Sequence, residues 1–312
     1  MAVNEGSGTA RGRRAIRVTT AASSAGISRR FMSAQCASLR AHPAENLWNP
    51  RALHGYCGYM RVAAVQITSG PDTQANLDLV LGKIREAAAG GAELIVFPEA
   101  TSQAFGTGEL TSQAQELDGA FATAVAKLAG DLNVAVILGM FRPAGDRVRN
   151  TALIVGPGLR EHYDKNHTYD AFSYRESDDV ERGAGTTVVD VAGVKVGVAI
   201  CYDIRFPEQF IEMAQRGAQV IAVPTSWAAG PTKLEQWRLL AQARALDSTC
   251  VIVACDQAVD GNGWGVGHSM IVGANGAVIA EAGEAPEIIY ADIDAATVEE
   301  ARRALPVLEA RG

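Results

Sequence analysis

The stretch VVDVAGVKVGVAICYDIRFPE, residues 188–208, holds the strongest fold signal in the chain. It begins by alternating and then becomes almost continuously β-branched and apolar through Val194, Val196, Val198 and Ile200, the pattern of a buried strand. Cys201 follows directly, with Tyr202, Asp203, Arg205 and Pro207 close behind. Proline suits the first turn of a helix, where its missing N–H would have no partner anyway. The thiol is therefore expected at a strand end, on a sharp turn into a helix. Catalytic groups collect at such carboxyl ends of strands in α/β sheets. A free cysteine is also among the most buried residue types and often only packs, so its partners must decide its role.

Working outward, two other strand-like runs end on a charged residue. Glu93–Phe97 runs into Pro98-Glu99, and Leu159–Tyr163 runs into Asp164-Lys165. A carboxylate, an ammonium and a thiol on converging strand ends would make a compact acyl-transfer site. An unassisted thiol is only a few per cent ionised at neutral pH. A neighbouring carboxylate can take its proton, and a lysine can stabilise an oxyanion on the attacked carbonyl. Each residue has a plainer reading on its own, Glu99 as a cap and Lys165 as a solvated loop residue. Their shared position after apolar strands favours the chemical one.

Between these runs, strands and helices alternate. A strand is expected over Arg61–Ile67, then an amphipathic helix over Asn76–Ala89 carrying Leu77, Val80, Leu81 and Ile84, stopped by Gly90-Gly91. A helix is predicted from about Gln113 to Gly130, and strands over Val134–Phe141 and Asn150–Val155. Residues 164–185 read as a loop, and the central run as one strand leading into Cys201. Beyond Arg216 come a strand at Gln219–Val223, a helix over Thr232–Ser248 and a strand at Val251–Cys255. Two short strands turned by Asn275-Gly276, a strand at Glu287–Ile293 and a helix over Ala295–Ala304 complete the series. Alternation implies parallel strands covered by helices, and the hairpins imply mixed sheets.

Composition sets the boundaries. The chain has 312 residues, 48% of them hydrophobic and 20% charged, enough to bury a substantial core. A net charge of −7 argues against nucleic acid as a partner, and no apolar run is long enough to span a membrane. Five scattered cysteines do not form a disulfide framework, which fits a reducing, cytoplasmic setting. Residues 1–59 stand apart, with eight Arg, no Lys and only Glu5 and Glu45 as acids. They show no apolar periodicity and read as a disordered extension, either a transit-like segment or an early start. Residues 60–312, with the remaining 20 basic and 33 acidic side chains, read as one domain without a repeat.

The segments FPEA (97–100), HYDKNHTYDAF (162–172), CYDIRFPE (201–208) and PTSWAAGPTKLEQWRLLAQARALD (224–247) together resemble the nitrilase superfamily of carbon–nitrogen hydrolases. The match is best to its amidase branch, of the deaminated-glutathione amidase and ω-amidase type. The resemblance implies a four-layer αββα sandwich with mixed β-sheets, assembled as a homodimer or higher homo-oligomer. It implies a Glu99, Lys165, Cys201 triad that works without a cofactor or metal, and a supporting second glutamate at Glu176. The spacing from Lys165 to Glu176 is shorter than in many relatives. Tyr202 is expected to lend its backbone N–H to the oxyanion. Tyr169, Tyr174, Arg205, Ser226 and Trp227 lie in segments that would line the substrate pocket.

The implied reaction converts a small, acidic carboxamide to a carboxylate and ammonia through a cysteine thioester. Hydrolysis of an N-carbamoyl amide or a nitrile are alternatives, the nitrile reading weakened by Tyr202-Asp203 where nitrile-acting relatives usually carry Trp-Glu. An inactive binding or scaffold member of the fold is the non-enzymatic alternative. Arg205 could instead pair with Asp203 or Glu208. Cys250 and Cys255 read as core residues. Gly261–Gly267 misses a phosphate-cradle spacing and reads as a flexible loop. His162, His167 and His268 show no metal-ligand pattern, and no nucleophile elbow surrounds Ser269.

Overall fold

The structure, a computed structural model, describes residues 58–172 and 174–311. The expectation of a disordered segment over 1–59 falls on residues outside this range, except for Gly58 and Tyr59.

Two six-stranded mixed sheets form the centre. The first has the order β14-β1-β2-β3-β4-β5. Its strands are β1 (Tyr59–Gln66), β2 (Leu94–Val96), β3 (Ala135–Ala144), β4 (Arg147–Gly156), β5 (Leu159–Asp164) and β14 (Glu287–Asp294). β1, β2 and β3 run parallel, while β4, β5 and β14 are antiparallel to their neighbours. The second sheet has the order β13-β12-β11-β10-β9-β8. It is built from β8 (Thr187–Val191), β9 (Val194–Val198), β10 (Val220–Pro224), β11 (Val251–Cys255), β12 (Met270–Val272) and β13 (Val278–Glu281). Again the middle three strands, β9, β10 and β11, are parallel.

Strand alternation assigns each face of the first sheet to a different layer. From β1, Ala63 and Val65 join a cluster with Leu77, Val80 and Ile84 of α1 (Thr73–Ala89) and Phe121 and Val125 of α2 (Ala120–Leu132). Val62 and Ala64 face the other way and join Leu94, Val96 and Ile137 in the core shared with the second sheet. That sheet carries α3 (Pro207–Gln215) and α4 (Lys233–Ser248) on its outer face, where Phe210, Met213, Trp237 and Ala241 are buried. The result is the expected four-layer αββα sandwich. α5 (Ala295–Ala304) follows β14 and buries Val298.

Three details differ from the sequence reading. The central run is a hairpin rather than one strand: β8 and β9 pair across Ala192-Gly193, both at positive φ (51° and 85°) as a two-residue turn demands. The continuous apolar pattern conceals the reversal because both strands are half or fully buried. The helix expected from Gln113 begins only at Ala120. Gln113 and Gln115 instead turn their side chains on helix ends, accepting from the N–H groups of Thr73 (2.9 Å) and Phe121 (3.0 Å). The loop 164–185 contains a small hairpin of β6 (Asp170–Ala171) and β7 (Tyr174–Arg175), followed by a 3₁₀ turn at Glu176–Asp178.

Candidate active site

The parallel strands of both sheets deliver their carboxyl ends to one place. β2 ends at Val96, and Phe97-Pro98 lead to Glu99 while Ala100 turns back in the left-handed region at φ 56°. This turn crosses close over β3, where a Cβ on Gly139 would stand 2.5 Å from Glu99 Cα and Ala100 N. β9 feeds Cys201, itself left-handed at φ 45°, a strained state for a residue with a Cβ. The turn is pinned by buried Asp203, which accepts from Ile200 N (2.9 Å), the Tyr163 hydroxyl (2.8 Å) and His167 N (3.0 Å). Asp203 thereby ties the cysteine turn to the segment that carries Lys165.

Four polar groups form a ring almost without solvent. Lys165, 2% exposed, donates from Nζ to Glu99 Oε1 at 2.8 Å and to Glu176 at 3.0 and 2.8 Å. Asn150 of β4 bridges the same two carboxylates, at 2.7 Å from Glu99 and 3.0 Å from Glu176. The other oxygen of Glu99 accepts from Ser226 N at 2.9 Å, and Glu176 accepts from Tyr169 N at 2.6 Å. The Cys201 thiol points at the Ser226 carbonyl at 3.9 Å, so one residue after β10 touches both Glu99 and Cys201.

The charges follow from burial and proximity. Burial raises the carboxyl pKa of Glu99 above the ordinary 4.5; Lys165 opposes this and Glu176 adds to it. Burial works against the Lys165 cation, but Glu176 and Glu99 outweigh it and hold the lysine well above its usual value. Burial, then the Glu99 charge, push the Cys201 thiol well above 9.0. Burial thus favours the neutral Cys201 thiol and makes the Glu99 carboxylate more basic than usual.

All ten residues singled out from the sequence line one cavity. Tyr169, Tyr202 and Tyr174 form an aromatic wall; Tyr169 meets Tyr202 edge-on at 5.2 Å and Tyr174 at 6.2 Å. Arg205 pairs with neither Asp203 nor Glu208. Its guanidinium donates to Gln236 at 2.7 Å and lies over the rings of Trp227 (5.0 Å) and Tyr202 (5.8 Å). Phe105, Ala228, Lys233 and Trp264 complete the lining, and none of the four was singled out from the sequence.

The glycine-rich segment, read as a flexible loop, is exposed over 261–263, while 264–267 pack into the cavity wall. Trp264 packs on Phe105 (5.3 Å) and Tyr174 (5.0 Å), and Gly265 N donates to the Trp227 carbonyl. Buried Asp256 braces this wall, accepting from Trp227 N and Val266 N at 2.8 Å each. Burial pushes its carboxyl up to about 8 against those donors. Cys250 and Cys255 are fully buried in the core, and Ser269 spends its hydroxyl on Gln66. Among the described residues, no cluster of three or more His, Cys, Asp or Glu side chains is arranged to hold a metal ion. No helix there is long and apolar enough to cross a membrane.

A thiol, an ammonium and two carboxylates thus gather at strand ends of an αββα sandwich. The sequence profile of the carbon-nitrogen hydrolases matches residues 61–303, and the chain belongs to that family. It is 46% identical over 265 residues to a Mycobacterium tuberculosis protein named only as a hydrolase, covering 80% of this chain and 94% of that one. It is 34% identical over 257 residues to the deaminated glutathione amidase of Escherichia coli O157:H7, covering 81% and 97%. Among solved structures, Saccharomyces cerevisiae Nit3, a member of branch 10 of the nitrilase superfamily, superposes with a TM-score of 0.72 at 29% identity, covering 80% and 95%.

Proposed function

We propose that the protein hydrolyses a small carboxamide to a carboxylate and ammonia through a thioester on Cys201. The observation that carries this reading is the buried ring in which Lys165 stands 2.8 Å from both Glu99 and Glu176, at the wall of a cavity that Cys201 also lines. A neutral thiol needs a base at the moment of attack, and Glu99 is the adjacent carboxylate with raised basicity.

The Cys201 S–H proton passes to Glu99 as the sulfur–carbon bond forms and the carbonyl electron pair moves onto oxygen. The Lys165 ammonium and the Tyr202 N–H stabilise that oxyanion. Glu99 then returns the proton to the amide nitrogen, the carbon–nitrogen bond breaks and ammonia leaves. A water molecule next gives its proton to Glu99 and attacks the thioester. The sulfur departs and recovers the proton from Glu99. Glu176 and Asn150 hold Lys165 and Glu99 in register throughout, so neither must reorganise in the transition state.

The substrate class that fits is a short amide carrying a carboxylate. Arg205 faces the cavity with no carboxylate partner among the described residues, and its planar fork suits two hydrogen bonds to such a group. The deciding experiment is ammonia release from a panel of amides, N-carbamoyl compounds and nitriles, with Cys201→Ala as background. An amide with a free carboxylate is expected to turn over at least about tenfold faster than its methyl ester, the size of losing about 1.4 kcal/mol. Wild type and Cys201→Ala equally silent across the panel would leave the scaffold reading in its place.

A further inference from the structure

The cavity holds a second cation that the reaction does not use. Lys233, the first residue of α4, is buried, yet its ammonium has no carboxylate partner among the described residues. It donates to the Tyr169 hydroxyl at 3.2 Å and lies over the rings of Phe172 (4.5 Å), Tyr169 (5.4 Å) and Trp227 (5.8 Å). Those rings stabilise a cation but accept no strong hydrogen bond, and an ammonium has three donors to place. Burial, then the nearby Arg205 charge, hold its pKa below the ordinary 10.5. Two cations that flank one indole ring without a counterion are costly unless something else supplies the negative charge.

Their positions along the cavity differ. Arg205 lines only the inner cavity with Cys201. Lys233 lines both that cavity and a wider, more open vestibule bordered by Phe172, Pro231 and Trp264. We infer that Lys233 is a specificity-determining residue for a second anionic group on the substrate, held farther from the scissile amide than the group at Arg205. The inference rests on the amidase reading and extends it: the preferred substrate is an elongated amide with two acidic groups.

Three primary amides built on one glutamine side chain test this: N-acetylglutamine methyl ester, N-acetylglutamine and N-succinylglutamine, with no, one and two carboxylates. The readout is the kcat/KM of the succinyl over the acetyl compound, measured by ammonia release. This ratio is independent of the fraction of protein correctly folded, which scales both rates alike. Wild type is expected to favour the succinyl compound by about tenfold or more, as one charge-assisted hydrogen bond implies. Lys233→Met should bring the ratio near unity, and Lys233→Arg should keep most of it. A wild-type ratio of one or below, or a ratio unchanged by Lys233→Met, overturns the inference while the amidase reading stands. No ammonia from any of the three overturns this inference, and the wider amide panel then decides the amidase reading.

Discussion

At Cys201 two costs coincide, a left-handed backbone and a thiol kept neutral by burial. The first is tolerated because Asp203 fixes the turn; the second fits the proposal that Glu99 takes the proton at the moment of attack. Cys250 and Cys255 are fully buried and do not line the cavity that Cys201 lines, so access separates the three. Iodoacetamide, itself a primary amide, should alkylate Cys201 at least about tenfold faster than Cys250 or Cys255, the contrast expected for an activated thiol. Peptide mass spectrometry reads this directly, and equal labelling of the three would count against the mechanism. The rate should also report on Glu176. Glu99 must be ionised to act, so kcat/KM rises with pH through the Glu99 pKa, which burial and Glu176 lift above 4.5. Glu176→Gln removes one raising charge, so the acidic limb should move to lower pH even as the maximal rate falls. A limb that stays in place or moves up would show that Glu176 does not act on Glu99 through its charge. Replacing Lys165 with Ala forfeits the oxyanion partner, about 3–4 kcal/mol by analogy with other lost donors, so kcat should fall at least a hundredfold. Glu99, Lys165, Glu176 and Cys201 were legible because each closes an apolar run or a recognisable motif. Asn150 and Lys233 were not, since one lies within β4 and the other opens α4, and only the fold brings them to the site.

Among the elements, the helices were the easier part to anticipate. The spacing of Leu77, Val80 and Ile84 marks one buried face of α1, and those residues do pack on the first sheet. The β8–β9 hairpin escaped because Ala192-Gly193 is a weak turn signal and burial erases the alternation that would have exposed a second strand. What the pattern cannot reveal is the close crossing of elements, and Gly139 is the clearest instance. Its missing Cβ lets the Glu99 turn lie directly on β3. Gly139→Ala should destabilise by about 1–3 kcal/mol, as overpacking does, and also lower ammonia release by displacing the Glu99 backbone. Gly82→Ala is the matched contrast. Gly82 sits within α1 with nothing within 4 Å of its would-be Cβ, so alanine there should stabilise by about 0.5–1 kcal/mol. Thermal unfolding of the two variants checks the pair; a neutral Gly139→Ala would mean that the turn can move aside without loss.

Over the whole molecule, the sandwich is closed by its ends. β14 returns from the second sheet to pair with β1, from Tyr59 opposite Asp294 to Gln66 opposite Glu287. The Gly58 carbonyl accepts from Ala295 N at the start of α5, so Gly58 and Tyr59, just ahead of Met60, are tied into the sandwich. The core strands therefore hold residues 59–66 firmly, whereas residues 1–57 carry the arginine-rich, aperiodic composition that offers little apolar surface to offset ordering entropy. We propose that the body from Gly58 onward folds and works alone. A chain beginning at Gly58 should keep its unfolding midpoint within about 2 °C of the full chain, a shift worth less than about 1 kcal/mol for a body of this size. It should also retain full ammonia release. Starting instead at Ala64 removes five of the eight residues of β1, including most of its pairing with β2, and that chain should not fold. Calorimetry separates the cases: a larger fall for the Gly58 chain would mean that the first 57 residues dock on the sandwich and contribute to its stability.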